Sequence, residues 1–201
     1  MGRRHTDTQT KATTVKPDRI AVIAGLGNPG TEYEHTRHNV GFLAIDALAA
    51  RHGARYWKSE AGCETTTIRV RTAAGETREV LLAKPQDFMN TCGGPISKLL
   101  RARHLAADQL LVVHDEVDLP EGDVRPKFGG GLNAHNGLRS IANKLGTRDF
   151  ARLRCGIGRP PGKMDVATYV LRQLKGDKAQ ELELTAQDAA DLVTRLLEGA
   201  A

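Results

Sequence analysis

The stretch from Ile20 to Gly53, IAVIAGLGNPGTEYEHTRHNVGFLAIDALAARHG, decides the fold. Its first part, Ile20 to Leu26, is an apolar run that ends at a Gly-Pro turn, the pattern of a buried strand. From Thr36 to His52 the residues Val40, Leu43, Ala44, Ala47 and Leu48 recur at helical spacing. Thr36 is a suitable N-cap, and Gly53 is well placed to stop the helix. A buried strand, a glycine-rich turn and an amphipathic helix together make the opening unit of an α/β protein.

The rest of the chain repeats that alternation. Strands are predicted at Cys63–Val70 and Glu79–Ala83, joined by the turn Ala73–Glu76, and again at Leu110–Val113 and Leu153–Ile157. Helices are predicted over Ser97–Leu105, His135–Leu145, Asp165–Leu171 and Gln180–Leu197. The last carries Leu182, Ala186, Ala189, Ala190, Val193 and Leu197 on one face. This order implies a single-domain α/β sandwich with a central mixed, largely parallel twisted sheet flanked by helices. At 201 residues one domain with a substantial core is expected, and two are not. Ligands of such sheets bind beyond the carboxyl ends of the strands, where Asn28 and Asp115 both fall.

Composition narrows the setting. No apolar run approaches the roughly 18–20 residues that span a bilayer. Residues 1–18 contain almost no apolar side chains, so the apolar segment of a secretory signal is missing and a flexible tail is expected before a domain over 19–201. A transit peptide is the lesser reading, since Thr and basic residues abound but Asp7 and Asp18 oppose it. A cytoplasmic protein is expected. Cys63, Cys92 and Cys155 lie far apart with no metal-ligand spacing, and reduced, unreactive thiols are the default. The net charge of +5 permits nucleic-acid binding without demonstrating it. Basic residues gather at Arg125-Pro126-Lys127 and from Arg148 to Arg159, whereas acids crowd Asp177 to Asp191. With only 4% aromatics, RNA would be held through phosphates and not through stacking.

Four polar islands carry the chemistry: Gly25–Gly30 with Tyr33 and His38, Phe88-Met89-Asn90, His114-Asp115-Glu116, and His135-Asn136-Gly137. They supply one base, one carboxylate to orient it, and the carboxamides of Asn28, Asn90 and Asn136. That set suits attack of activated water on an ester or amide. Each element also has a plainer reading. Gly25–Gly30 fits GxGxxG, but the helix begins some six residues later and no acidic residue closes a second strand, which disfavours a dinucleotide turn. His38 taken alone reads as a capping or half-buried histidine. A helix start favours neutral imidazole while a carboxylate favours imidazolium, so its titration is not readable from sequence. Asp115 with Glu116 and Asp118 reads also as a solvated loop or a metal site, although the ligand spacing for a metal is lacking. Loop Asn residues are usually turn chemistry, and Lys127 and Arg154 read also as surface charges.

The motifs at Gly25–Gly41, Lys84–Asn90, His114–Pro120, His135–Ser140 and Arg152–Pro160, followed by Tyr169-Val170-Leu171, resemble the bacterial-type peptidyl-tRNA hydrolases in order and spacing from about Ile20 to the C-terminus. The resemblance implies a monomeric, metal-independent esterase of phosphorylase/hydrolase-like α/β fold, with no cofactor. It would cleave peptidyl-tRNA released from stalled ribosomes into tRNA and peptide, engaging the acceptor stem and 3′ end without an obligate protein partner. By the same resemblance His38 is the base and Asp115 its orienting partner. Asn28, Asn90 and Asn136 hold substrate and water, Tyr33, Met89 and His135 help line the cleft, and Lys127 and Arg154 clamp the tRNA 5′-phosphate. The alternatives are a non-catalytic RNA-binding relative acting in splicing or RNA processing, disfavoured by the complete His38, Asp115 and Asn set, and a peptidase, which leaves Lys127 and Arg154 without a role.

One segment departs from the family pattern. Where the family usually reads Gly-Gly-Gly-His-Gly-Gly-His-Asn-Gly, this chain has Leu132 in place of the histidine and Asn133 and Ala134 in place of glycines. If those glycines serve positive φ, Ala134 strains the loop more than Asn133.

Overall fold

The computed structural model describes residues 14–199. Seven strands form one sheet: β1 (Val22–Gly25), β2 (Lys58–Glu60), β3 (Cys63–Arg71), β4 (Thr77–Pro85), β5 (Leu110–Glu116), β6 (Val124–Phe128) and β7 (Ala151–Gly156), in the order β2-β3-β4-β1-β5-β7-β6. The central four, β4, β1, β5 and β7, are parallel. The flanking strands β2, β3 and β6 are added antiparallel. The sheet is therefore mixed with a parallel heart, as the alternation implied.

Five helices cover it: α1 (Val40–Arg51), α2 (Gly93–Ala102), α3 (Asn136–Leu145), α4 (Val166–Leu171) and α5 (Asp177–Glu198). On one face α1 and α5 pack against Ile23, Val80, Leu82, Leu111, Val113 and Leu153. On the other, Ile96, Leu99, Leu138 and Ile141 of α2 and α3 cover Val22, Ala24, Leu81, Ala83 and Val112. Alternate residues of β1 and β5 thus feed opposite cores, which is why both strands read as unbroken apolar runs. All six apolar positions anticipated on α5 are buried.

Several expectations shift in detail. The first helix does not begin at Thr36. A 3-10 turn over Arg37–Asn39 precedes α1, and the Thr36 hydroxyl donates to the Tyr33 carbonyl (2.9 Å) instead of capping. This turn places His38 at the end of the sheet. Gly25 and Gly41 let α1 press onto β1: a Cβ on Gly41 would lie 2.4 Å from both the Leu26 nitrogen and the Val113 carbonyl oxygen. Strands β2 and β6 were not anticipated. Of the tail expected over residues 1–18, residues 1–13 lie outside the described residues. Pro17 and Asp18 belong to a 3-10 turn whose carbonyls accept from the Arg78 guanidinium at 2.6 and 3.0 Å. Among the described residues no helix is long and apolar enough to cross a membrane.

Candidate active site

Asp115 is the next-to-last residue of β5, buried at 3% exposure, and its Oδ1 receives two imidazoles. His38 Nδ1 and His135 Nε2 each lie 2.9 Å from that single oxygen. The other nitrogen of His135 decides the tautomers. His135 is the N-cap of α3, and its Nδ1 accepts from the backbone N–H groups of Gly137 (3.1 Å) and Leu138 (3.4 Å). An accepting Nδ1 carries no hydrogen, so Nε2–H of His135 donates to Asp115. The carboxylate has no hydrogen to give, so His38 Nδ1–H also donates to it. Nε2 of His38 is left as a lone pair for the cavity the residue lines.

The charges follow from this geometry. For His38 burial pulls the imidazole pKa down, but the charge and hydrogen bond of Asp115 outweigh it, and the net value is raised above 6.5. Of the two influences named from the sequence, the carboxylate acts on His38 as expected, and what opposes it is burial. For Asp115 burial opposes ionisation, yet the two histidines hold it well below the ordinary carboxylate range. His114, on the same strand, behaves differently. Its Nδ1 donates to the Asp115 carbonyl at 2.7 Å, its Nε2 is buried with no partner among the described residues, and burial pushes its pKa down to about 3.

One donor atom from each of His38, Asp115 and His135 lies within 4.8 Å of the others, the spacing of a three-ligand metal site. The hydrogen-bond chemistry does not suit a cation there. A metal would need the lone pair of His135 Nε2, the nitrogen that carries hydrogen because Nδ1 is engaged by α3.

His38, Asp115, His135 and Asn136 share the wall of a cavity of about 330 Å³. Its opposite side is apolar, formed by Val166, Ala167, Val170 and Leu171 of α4. Asn28 lines a neighbouring hollow of about 290 Å³. Its placement is tightly specified: the backbone N–H of Asn28 donates to Asn39 Oδ1, Asn39 Nδ2 donates back to the Asn28 carbonyl, and Met89 N–H donates to Asn28 Oδ1 at 2.7 Å. That last bond fixes the carboxamide so that Nδ2 is the group Asn28 has to offer. Met89 acts here through its backbone, while its sulfur packs where a Cβ on Gly137 would stand, 2.5 Å away. Neither Tyr33 nor Asn90 lines the cavity. Tyr33 is half-buried with its ring edge-on to Phe88 at 6.3 Å, and Asn90 is exposed just before α2. The carboxamides of Asn90 and Asn136 bond to no described residue.

Lys127 and Arg154 lie on paired strands, where Arg125 faces Arg154 and Lys127 faces Arg152 across the β6–β7 ladder. Burial lowers the Lys127 pKa, and the charges of Arg152 and Arg154 lower it further. Arg152 itself is 1% exposed and donates to the carbonyls of Gly131 (2.9 Å) and Gly129, so it anchors the glycine-rich loop. Within that loop Asn133 has φ +46° and Ala134 φ +58°. Both replacements thus occupy the left-handed region that the motif comparison singled out. Asn133 compensates by donating from Nδ2 to Glu116 Oε2 (3.0 Å), while Leu132 packs onto the core beneath α3. Asn39, Arg152, Glu116 as a loop anchor, and the α4 wall were not read from the sequence. Asn39 alone had a signal, its place in the Thr-Arg-His-Asn-Val-Gly segment.

A three-layer α/β domain with a carboxylate-bound imidazole at the carboxyl end of its sheet, sharing a cavity wall with the carboxamide of Asn136, fits the class of α/β hydrolases. The comparisons with known proteins narrow that class. The family model described as peptidyl-tRNA hydrolase matches residues 22–201, and the chain belongs to that family. Curated proteins called peptidyl-tRNA hydrolase from Rhodococcus erythropolis and Kineococcus radiotolerans are 48% and 44% identical over 179 and 178 residues. These alignments cover 89% and 88% of this chain and 92% and 90% of theirs. The crystal structure of peptidyl-tRNA hydrolase from Acinetobacter baumannii superposes with a TM-score of 0.79 at 33% identity, covering 90% of both chains. A Campylobacter jejuni methylthioadenosine/S-adenosyl homocysteine nucleosidase shares the fold alone, with a TM-score of 0.51 at 10% identity.

Proposed function

We propose that this protein hydrolyses the ester joining a peptide to the terminal ribose of tRNA, with His38 as the base. The observation that carries the reading is the fixed tautomer pair: two imidazoles donate to one oxygen of Asp115, leaving Nε2 of His38 as the free lone pair. Nε2 takes a proton from water as its oxygen bonds to the ester carbonyl carbon. The carbonyl electrons move onto oxygen, where a carboxamide N–H stabilises the charge; among the described residues Asn136 offers an unengaged carboxamide in the cavity wall, Asn28 Nδ2 one from the neighbouring hollow, and Asn90 serves only if it moves in from its exposed place before α2. Collapse breaks the bond to the ribose oxygen, which leaves with the proton held by His38. Asp115 stabilises the imidazolium between these transfers. No step requires a metal or cofactor.

Lys127 and Arg154 serve as the clamp for the 5′-phosphate, and the protein acts as a cytoplasmic monomer. Membership of the family supports an enzyme acting on peptidyl-tRNA, and nothing favours the non-catalytic alternative. The test is cleavage of an N-acetylated aminoacyl-tRNA beside its unblocked counterpart. The blocked ester is expected to be strongly preferred, because groups that pair with a peptide bond cannot replace the hydration of an α-ammonium. Equal cleavage of both would reject the substrate assignment.

A further inference from the structure

The catalytic reading leaves one buried charge unexplained. Arg37, the residue before His38, is 8% exposed and lies over the Tyr169 ring at 4.0 Å. Its Nε is buried, and among the described residues it has neither a hydrogen-bond partner nor a carboxylate paired with the guanidinium. Stacking on Tyr169 satisfies the face of the group and leaves Nε unmet. A desolvated guanidinium in that state is costly unless an anion completes it.

The surroundings specify the anion. Arg37 opens onto a hollow of about 290 Å³ that Arg172, Lys175 and Lys178 also line, with no acidic residue among the described residues of its wall. Lys178 is compensated by Glu121 at 3.2 Å and Glu181 at 2.5 Å. Arg172 and Lys175 are exposed and have no acidic partner among the described residues. Three cations without an acidic partner among the described residues therefore converge on one hollow, the innermost stacked on an aromatic ring. A planar fork presenting its N–H edge suits the paired oxygens of a phosphate. The hollow also adjoins the catalytic cavity, since Val166 and Val170 of α4 line the cavity while Tyr169 of the same helix and Arg172 just after it line the hollow.

We propose that this hollow is a second phosphate site, taking a backbone phosphodiester of the tRNA across α4 from the reacting ester and apart from the Lys127–Arg154 clamp. The inference rests on the tRNA ester substrate proposed above. It is tested by binding of deacylated tRNA to the whole protein across a range of salt concentrations, for the wild type, Arg37→Gln, and the double variant Arg172→Gln/Lys175→Gln. Each variant is expected to bind severalfold more weakly and to flatten the slope of log K against log salt by about one per lost contact. The double variant touches only exposed side chains, so it decides the matter even if Arg37→Gln fails to fold. The nuclear magnetic resonance signal of Arg37 Nε–H identifies the source: a shift with tRNA at concentrations where inorganic phosphate has no effect supports the assignment, and a shift with inorganic phosphate alone overturns it. Unchanged affinity and slope in the double variant, while the wild type still cleaves N-acetylated aminoacyl-tRNA, would refute the site and leave the function standing. A wild type that cannot cleave that ester removes the basis for both.

Discussion

At the scale of single residues, the most constrained object is the Asp115 oxygen shared by two imidazoles. It ties the base to the first turn of α3, so the conformation of the loop before α3 bears directly on His38. That loop carries strain. Ala134 at φ +58° holds a conformation costing an L-residue about 1–2 kcal/mol, which glycine would not meet. Ala134→Gly is therefore expected to raise unfolding stability by somewhat less than this, because the freer glycine chain also gains unfolded-state entropy. Denaturant midpoints measure it, and destabilisation would show that the methyl group is needed. His114 gives a second residue-scale prediction. Its folded pKa, about 3, lies below the unfolded value near 6.5. The unfolded state binds the proton between those values, so the contribution is complete above about pH 6.5 and is lost as pH falls toward 3, by up to about 1.4 kcal/mol per unit. His38, whose pKa is raised, works in the opposite sense: its contribution is present below about 6.5 and fades as pH rises through its folded value. His114→Gln should flatten the acid side of the stability profile, and an unaltered slope would count against a buried neutral His114.

At the scale of elements, the close approach of α1 to β1 sets the height at which His38 meets Asp115. Gly41→Ala would place a methyl group 2.4 Å from two backbone atoms. The cost should reach the upper end of the roughly 1–3 kcal/mol typical of overpacking, measured by denaturation, with loss of turnover as the 3-10 turn moves. A neutral result would mean the helix is free to slide. This scale also shows what sequence could reveal. The buried strands β1 and β5 and the one-sided α5 were legible because burial writes itself into apolar spacing. Strand β6 was not, since Arg125-Pro126-Lys127 sits at a sheet edge where Pro is tolerated and polar side chains face outward. Arg152 was hidden for a related reason. It alternates with Leu153 on β7, so its strand position was readable, but its burial comes from the glycine loop folding over it, a contact between segments some twenty residues apart. The motif residues His38, Asp115, Asn28 and Asn136 stood out by type. The double role of His135 depends on a helix start and a distant carboxylate at once, which no local pattern records.

For the molecule as a whole, charge is unevenly distributed. The acids of α5 lie on the layer with α1, while Lys127, Arg152 and Arg154 cluster on the β6–β7 edge beside the cavity. Replacing Lys127 and Arg154 together by Gln should weaken tRNA binding and lower its salt slope by about two, with the loss seen mainly in KM. An unaltered slope would remove the 5′-phosphate clamp. The most direct test of the whole account is the hydrolysis of N-acetylated aminoacyl-tRNA as a function of pH by the wild type and by His38→Ala, with tRNA affinity measured in parallel. The wild-type kcat/KM should climb through a midpoint above pH 6.5 as the His38 lone pair becomes available. The variant should lose about 10²–10⁴-fold in turnover, show no such climb, and bind tRNA as before. A variant that retains the wild-type rate and pH profile would contradict the claim that His38 activates the water.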